Sequence, residues 1–177
     1  MTVRHRLTAR ILRVISTVLA EHRWIEPTAF LVLLIVAPVA AWWLADRPRP
    51  ARWLAAAAGA VAAGLTLWPD DRRAFSFCEV AWSVPILSQG DVANVILFLA
   101  PVVLIATATR RPVLVAALAI AVSAGVELLQ ALAPALGRSC STNDWLANSV
   151  GAVLGAALAW AGLRLARETP APTAPSR

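Results

Sequence analysis

Lysine and tyrosine are absent from this 177-residue chain, histidine and cysteine occur twice each, and only 15% of its residues are charged. Each scarcity removes a class of protein. Soluble domains carry roughly a quarter charged residues, so this charged fraction beside 59% hydrophobic residues excludes an ordinary water-soluble fold. Both histidines, His5 and His22, lie in the N-terminal arm, far from the polar residues of the second half. That excludes a histidine-based metal site or triad there. No glycine-rich phosphate loop occurs, and Cys140, a conceivable nucleophile, has no histidine beside it. No cofactor and no metal are expected. The absence of lysine and the abundance of alanine point to a GC-biased bacterial genome.

Several apolar stretches approach or reach the roughly 17–25 residues needed to cross a bilayer. The expected fold class is therefore all-α, a polytopic transmembrane bundle of about five helices. The net charge of +6 would suggest nucleic acid in a soluble protein. Here the arginines cluster in the N-terminal arm, at 47–52, at 110–111 and near the C-terminus, beside hydrophobic segments. Membrane anchoring and orientation account for that pattern. No aromatic–basic recognition module is visible, and no nucleic-acid partner is expected. No secretory signal peptide is evident either, since the first strong apolar run begins near Thr28 and lacks a small-x-small cleavage site before Asp46.

Along the chain, residues 1–26 read as a basic amphipathic arm. Leu7, Ile11, Val14, Ile15, Val18 and Leu19 oppose Arg6, Arg10, Arg13 and Arg23 at helical period, which suits a helix lying on the membrane surface. A partly ordered basic tail is the alternative. Residues 27–165 form the expected bundle. Its segments are Thr28–Ala45, Trp53–Trp68, Asp91 to about Thr109, Pro112 to about Ala133, and Asn143 to about Arg164, with an arginine- and proline-rich turn over Asp46–Arg52. Pro38 is placed to kink the first segment. Residues 166–177 read as a disordered tail.

The connections at 70–90 and 134–142 are separated by two crossings and so share one side. Each holds one cysteine, and Cys78 and Cys140 are disulfide candidates in an oxidising exterior; two unpaired thiols are the alternative. The positive-inside rule puts 47–52, 110–111 and 164–167 in the cytoplasm and both cysteines outside. With five crossings the basic arm would also lie outside, against the rule, unless Thr28–Ala45 fails to cross.

Polar residues interrupt the second half at helical spacing. Ser123, Glu127 and Gln130 fall on one stripe, as do Asp144, Asn148, Gly151 and Gly155, and Asp91, Asn94, Phe98 and Pro101. Chain reversal brings the Gln130, Asp144 and Asp91 ends to one face, with Arg138 in the loop above. Ionisable groups at membrane depth are costly and usually mark a site or a paired network. The expectation is an outward-opening polar pocket of Asn94, Ser123, Glu127, Gln130, Arg138, Asp144 and Asn148. Asn94, Gln130 and Asn148 would bond one another, and Arg138 would compensate Glu127 or Asp144. Plainer roles compete. Asp144 and Asp91 could cap helices, Gly151, Gly155 and Pro101 could serve helix packing, and Ser123 could bond its own backbone. Glu127 has no such plain role.

The ordered run Asn94-x3-Phe98-x2-Pro101, Ser123-x3-Glu127-x2-Gln130, Arg138 and Asp144-x3-Asn148-x2-Gly151-x3-Gly155 resembles the VanZ-like family over about residues 64–165. The segment at 28–45 and the arm fall outside that resemblance. It implies a multi-pass protein of the bacterial cytoplasmic membrane, in a family whose founding member is associated with resistance to the glycopeptide antibiotic teicoplanin.

Three functions follow as expectations. The first is a non-enzymatic protein whose pocket binds a cell-envelope lipid or an amphiphilic glycopeptide, with membrane lipids and possible antibiotic or cell-wall precursor as partners. The second is a small intramembrane enzyme acting on a lipid-linked or peptidoglycan substrate, with Glu127 and Asp144 as acid and base and Arg138 holding an anionic group. The third is a purely structural network. The sequence does not fix the oligomeric state.

Overall fold

Twenty helical residues rise about 30 Å, the thickness of a bilayer's hydrocarbon core, and the apolar runs of this chain form helices of that length. The structure is a computed structural model that describes residues 22, 24–67, 78–82, 84, 89–133 and 137–168. Among them are five helices and no β-strand: α1 (Ile25–Leu44), α2 (Pro48–Leu67), α3 (Gln89–Thr109), α4 (Pro112–Leu132) and α5 (Thr142–Glu168). Four of the described helices, α1, α3, α4 and α5, are long and apolar enough to cross a membrane. Helix α2 equals α1 in length at 20 residues, but it carries Arg49 and Arg52 near its start and is otherwise built largely of alanine.

The segment ends differ from the sequence expectation for local reasons. The arginine- and proline-rich stretch expected as a turn is mostly the first turn of α2. Pro48 and Pro50 sit where backbone N–H groups have no intrahelical partner, so proline is tolerated there. Helix α1 likewise starts at Ile25, with Pro27 inside its first turn. Helix α5 continues past Arg164 to Glu168. The amphipathic arm and the C-terminal tail rest on residues 1–21, 23 and 169–177, which lie outside the described residues.

Helices α3 and α5 form the central pair, with α1 and α4 against both and α2 against α3. In a membrane, lipid tails remove the usual hydrophobic drive between helices, and close approach of small side chains replaces it. The interior follows that rule. Val102, Ala106, Val115, Ala152, Ala156 and Ala159 make one buried cluster, and Ala37, Ala41, Leu99 and Val103 another. Larger aliphatics such as Ile35, Val39, Val113 and Leu118 face outward. Gly151 lies against the Val95 carbonyl of α3, and a Cβ at Gly155 would stand 2.7 Å from the Leu99 carbonyl oxygen. Gly162, which its sequence context did not single out, repeats this against α1. A Cβ there would stand 2.6 Å from Ala41 Cβ.

The alternating helices leave two ends. At one, Arg110 adopts a left-handed backbone (φ 57°) between α3 and α4, and its guanidinium donates to the Ala45 carbonyl at 2.6 Å. Arg47 lies 4.2 Å over the Trp43 ring, and Gly162 meets Pro38 and Trp42. The arginines at 47–52, 110–111 and 164–167 therefore gather at this end. The opposite end holds both cysteines and the polar residues.

Candidate functional site

The polar stripe of α4 faces inward: Ser123, Glu127 and Gln130 are all buried. Asn148 of α5 is buried too, at 4% exposure, and its Nδ2 donates to Ser123 Oγ at 2.9 Å. One helical turn nearer the cysteine end stand Glu127 and Asp144, each within electrostatic reach of the other. Glu127 Oε2 accepts the backbone N–H of Ser141 at 2.8 Å. That places a carboxylate at the N-terminal end of α5, where the helix dipole favours negative charge. Asp144 accepts a side-chain hydrogen bond from Asn94 of α3, and its charged neighbours are Asp91, Glu79 and Arg138. Asp91, 5% exposed, accepts from Asn143 Nδ2 at 2.6 Å.

Above this layer the chain forms a fastened rim. Cys78 and Cys140 are joined in a disulfide with their Cα atoms 4.6 Å apart. The Glu79 N–H donates to the Cys140 carbonyl at 2.9 Å, and the Thr142 N–H to the Glu79 carbonyl at 3.0 Å. Thr142 Oγ1 accepts the Ala81 N–H at 3.0 Å and donates to the Ala81 carbonyl at 2.8 Å. The segment 78–82 is thus strapped across the start of α5. Gly137, with φ 62°, takes the left-handed conformation that glycine adopts without steric cost, immediately before Arg138.

Several expected pairings are replaced by others. Asn94, Gln130 and Asn148 were expected to bond one another. Instead Asn94 serves Asp144, Asn148 serves Ser123, and Gln130 Nε2 reaches the Thr66 carbonyl at 3.3 Å. The expected countercharge of Arg138 to Asp144 is present; its guanidinium also donates to the Leu65 carbonyl at 2.8 Å, and a backbone amide serves Glu127. For Gln130 and Arg138 the C-terminal turn of α2 is the reason. Its last carbonyls have no intrahelical donors, so they capture the nearest side-chain donors. Asp144 is not the cap of α5. Ser141 Oγ accepts the Asn143 N–H at 3.2 Å, the usual N-cap geometry, which leaves Asp144 to face α3. Gly151 and Gly155 take the packing role, and Pro101 is buried within α3. Among the described residues, no three His, Cys, Asp or Glu side chains could hold a metal ion.

The sequence that carries this order of polar residues fits one known family. The sequence model of VanZ/LLP1 matches residues 29–165. The chain belongs to the VanZ/LLP1 family. The match takes in most of α1 and all of α2, so the VanZ/LLP1 region begins well before residue 64, where the motif resemblance started. The four spans and this membership make the chain a multi-pass membrane protein of the VanZ/LLP1 type. No curated protein and no solved structure matches the chain.

Sequence reasoning missed Thr142, Asn143 and the carbonyls of Leu65 and Thr66. Thr142 and Asn143 read only as helix-start residues, and a backbone carbonyl leaves no mark in a sequence. Glu127 gives a direct test of the rim. Glu127→Ala orphans the Ser141 N–H and should lower stability by about 1–3 kcal/mol. Glu127→Gln keeps a carbonyl acceptor and should melt close to wild type. Thermal unfolding in detergent separates the two, and equal losses would contradict this role.

Proposed function

We propose that this VanZ/LLP1 protein binds a cell-envelope amphiphile, a membrane lipid or an amphiphilic glycopeptide, through the polar layer at its cysteine-bearing end, and that this end faces the exterior of a bacterial cytoplasmic membrane. The disulfide supports the outward orientation, because such bonds persist in oxidising compartments. The arginines gathered at the opposite end support it too. One observation carries the binding reading. Asn148 Oδ1 is buried and has no hydrogen-bond partner, although its amide nitrogen is bonded to Ser123. A network that served only to hold helices in register would close on itself, since a buried acceptor left unpaired costs about 1–3 kcal/mol. A link to glycopeptide resistance extends this reading to the antibiotic itself as a client.

The test is native mass spectrometry of the protein extracted from its membrane, alone and after addition of teicoplanin. Retained lipid or added glycopeptide should be lost on Glu127→Ala, Arg138→Ala or Asp144→Ala. Binding unchanged in all three variants would sink the proposal. A second reading, acid–base chemistry on a lipid-linked substrate, is favoured by the electrostatic proximity of Glu127 and Asp144. It requires that proteoliposomes turn over such a lipid. Binding without turnover would count against it.

A further inference from the structure

We infer that the ligand of this site presents a cationic amine, so that the preferred client is an amphiphile with an ammonium head group. The inference rests on the binding reading above and concerns which chemistry the site selects. It starts from the balance of donors and acceptors. At the cysteine-bearing end the described residues include the carboxylates of Glu79, Asp91, Glu127 and Asp144, against a single arginine, Arg138.

Each amide and guanidinium side chain around the layer spends at least one donor on a protein acceptor. Asn143 donates to Asp91, Asn94 to Asp144, Asn148 to Ser123, Gln130 to the Thr66 carbonyl, and Arg138 to the Leu65 carbonyl. What is left over within the layer is an acceptor, Asn148 Oδ1, which is buried and has no partner. It lies one turn below Asp144 on the same stripe of α5, and its own amide ties it to Ser123, one turn below Glu127 on α4. The orphan acceptor thus sits between the two helices, beneath the two carboxylates. Trp145 Nε1, a donor that also has no partner, is the residue after Asp144 and so lies about 100° around α5, off this stripe.

An anionic head group would face four carboxylates at this end, with one arginine among the described residues to offset them. A bare metal ion needs converging ligands, and no three candidate ligands converge among the described residues. An ammonium has three donors, no acceptor and a positive charge. It would meet Asn148 Oδ1 with one donor and the field of Glu127 and Asp144 with its charge, and its apolar chain would remain among the lipid-facing helices.

Three probes of equal chain length test this on the intact protein in detergent micelles: dodecylamine, dodecanoate and dodecyl phosphate. The expected result is that dodecylamine binds at least about tenfold more tightly than either anion, a difference of about 1.4 kcal/mol. Glu127→Gln should lose most of that preference. Asn148→Asp, which keeps the shape and adds negative charge, should keep or strengthen amine binding, and it serves if Asn148→Ala fails to fold. Equal affinity for all three probes, or no binding of any, would overturn the inference. Preference for dodecanoate or dodecyl phosphate, lost on Glu127→Gln, would also overturn it while leaving the binding site itself in place.

Discussion

Gly151→Val is expected to leave little or no folded protein, whereas Gly125→Val should fold and melt near wild type. Both glycines lie inside transmembrane helices, so intrinsic helix preference does not separate them. What separates them is the neighbour. A side chain at Gly151 meets the Val95 carbonyl, which is backbone and cannot rotate away, while a Cβ at Gly125 has nothing within 4 Å. Overfilling a packed core commonly costs about 1–3 kcal/mol, and here the cost should reach or pass the upper end because α3 itself must move off α5. That movement would also carry Asp91 and Asn94 away from Asn143 and Asp144, so helix packing and the polar site should fail together. Size-exclusion profiles and thermal melts in detergent read the difference. Equal melting temperatures for the two variants would contradict the central α3–α5 contact.

Reduction of the disulfide, or Cys78→Ser, is the second large effect. The bond closes a loop with a sequence separation of 62 residues, for which chain entropy gives about 4 kcal/mol. That is an upper figure, because α3 and α4 would remain helical in the membrane after tertiary contacts are lost and the open chain gains less freedom than a random coil. The loss should be local. The strap at 78–82 keeps backbone bonds to Cys140 and Thr142, but these are exposed to solvent competition once the covalent tie is gone. Ligand retention should therefore fall before the bundle unfolds. Melting temperature and bound-ligand signal, measured with and without reductant, test the order. A bundle that melts unchanged under full reduction would show that the disulfide does not restrain the fold.

Much of the frame was legible because membranes impose simple rules. Apolar runs longer than a bilayer, arginine clusters and helical spacing were enough to place α3, α4 and α5 and to bring Ser123, Glu127, Asp144 and Asn148 to one end. The side-counting that put Cys78 and Cys140 together used only the number of crossings between them. Partner choice was not legible. Glu127 is satisfied by the backbone of Ser141 and Arg138 by the backbone of Leu65, and a backbone group has the same chemistry whatever residue carries it. The start of α2 was misread because a run such as Pro48-Arg-Pro50 signals a turn, and only the unfilled first turn of a helix accommodates both prolines. Gly162 escaped notice because its partner, α1, is far away in sequence. Its register against Pro38 and Ala41 follows from packing, with no motif to announce it.

The most direct measurement is native mass spectrometry of wild type and Glu127→Gln purified side by side from the same membrane. The substitution keeps a carbonyl acceptor for the Ser141 amide while it removes the charge and turns the other oxygen into an NH2 donor, so folding and binding are read separately. A lipid or glycopeptide retained by wild type and absent from a folded Glu127→Gln variant is the expected result. No ligand on either protein, or the same ligand equally held by both, would contradict the claim that this polar layer is a binding site and leave it as a network that holds the helices together.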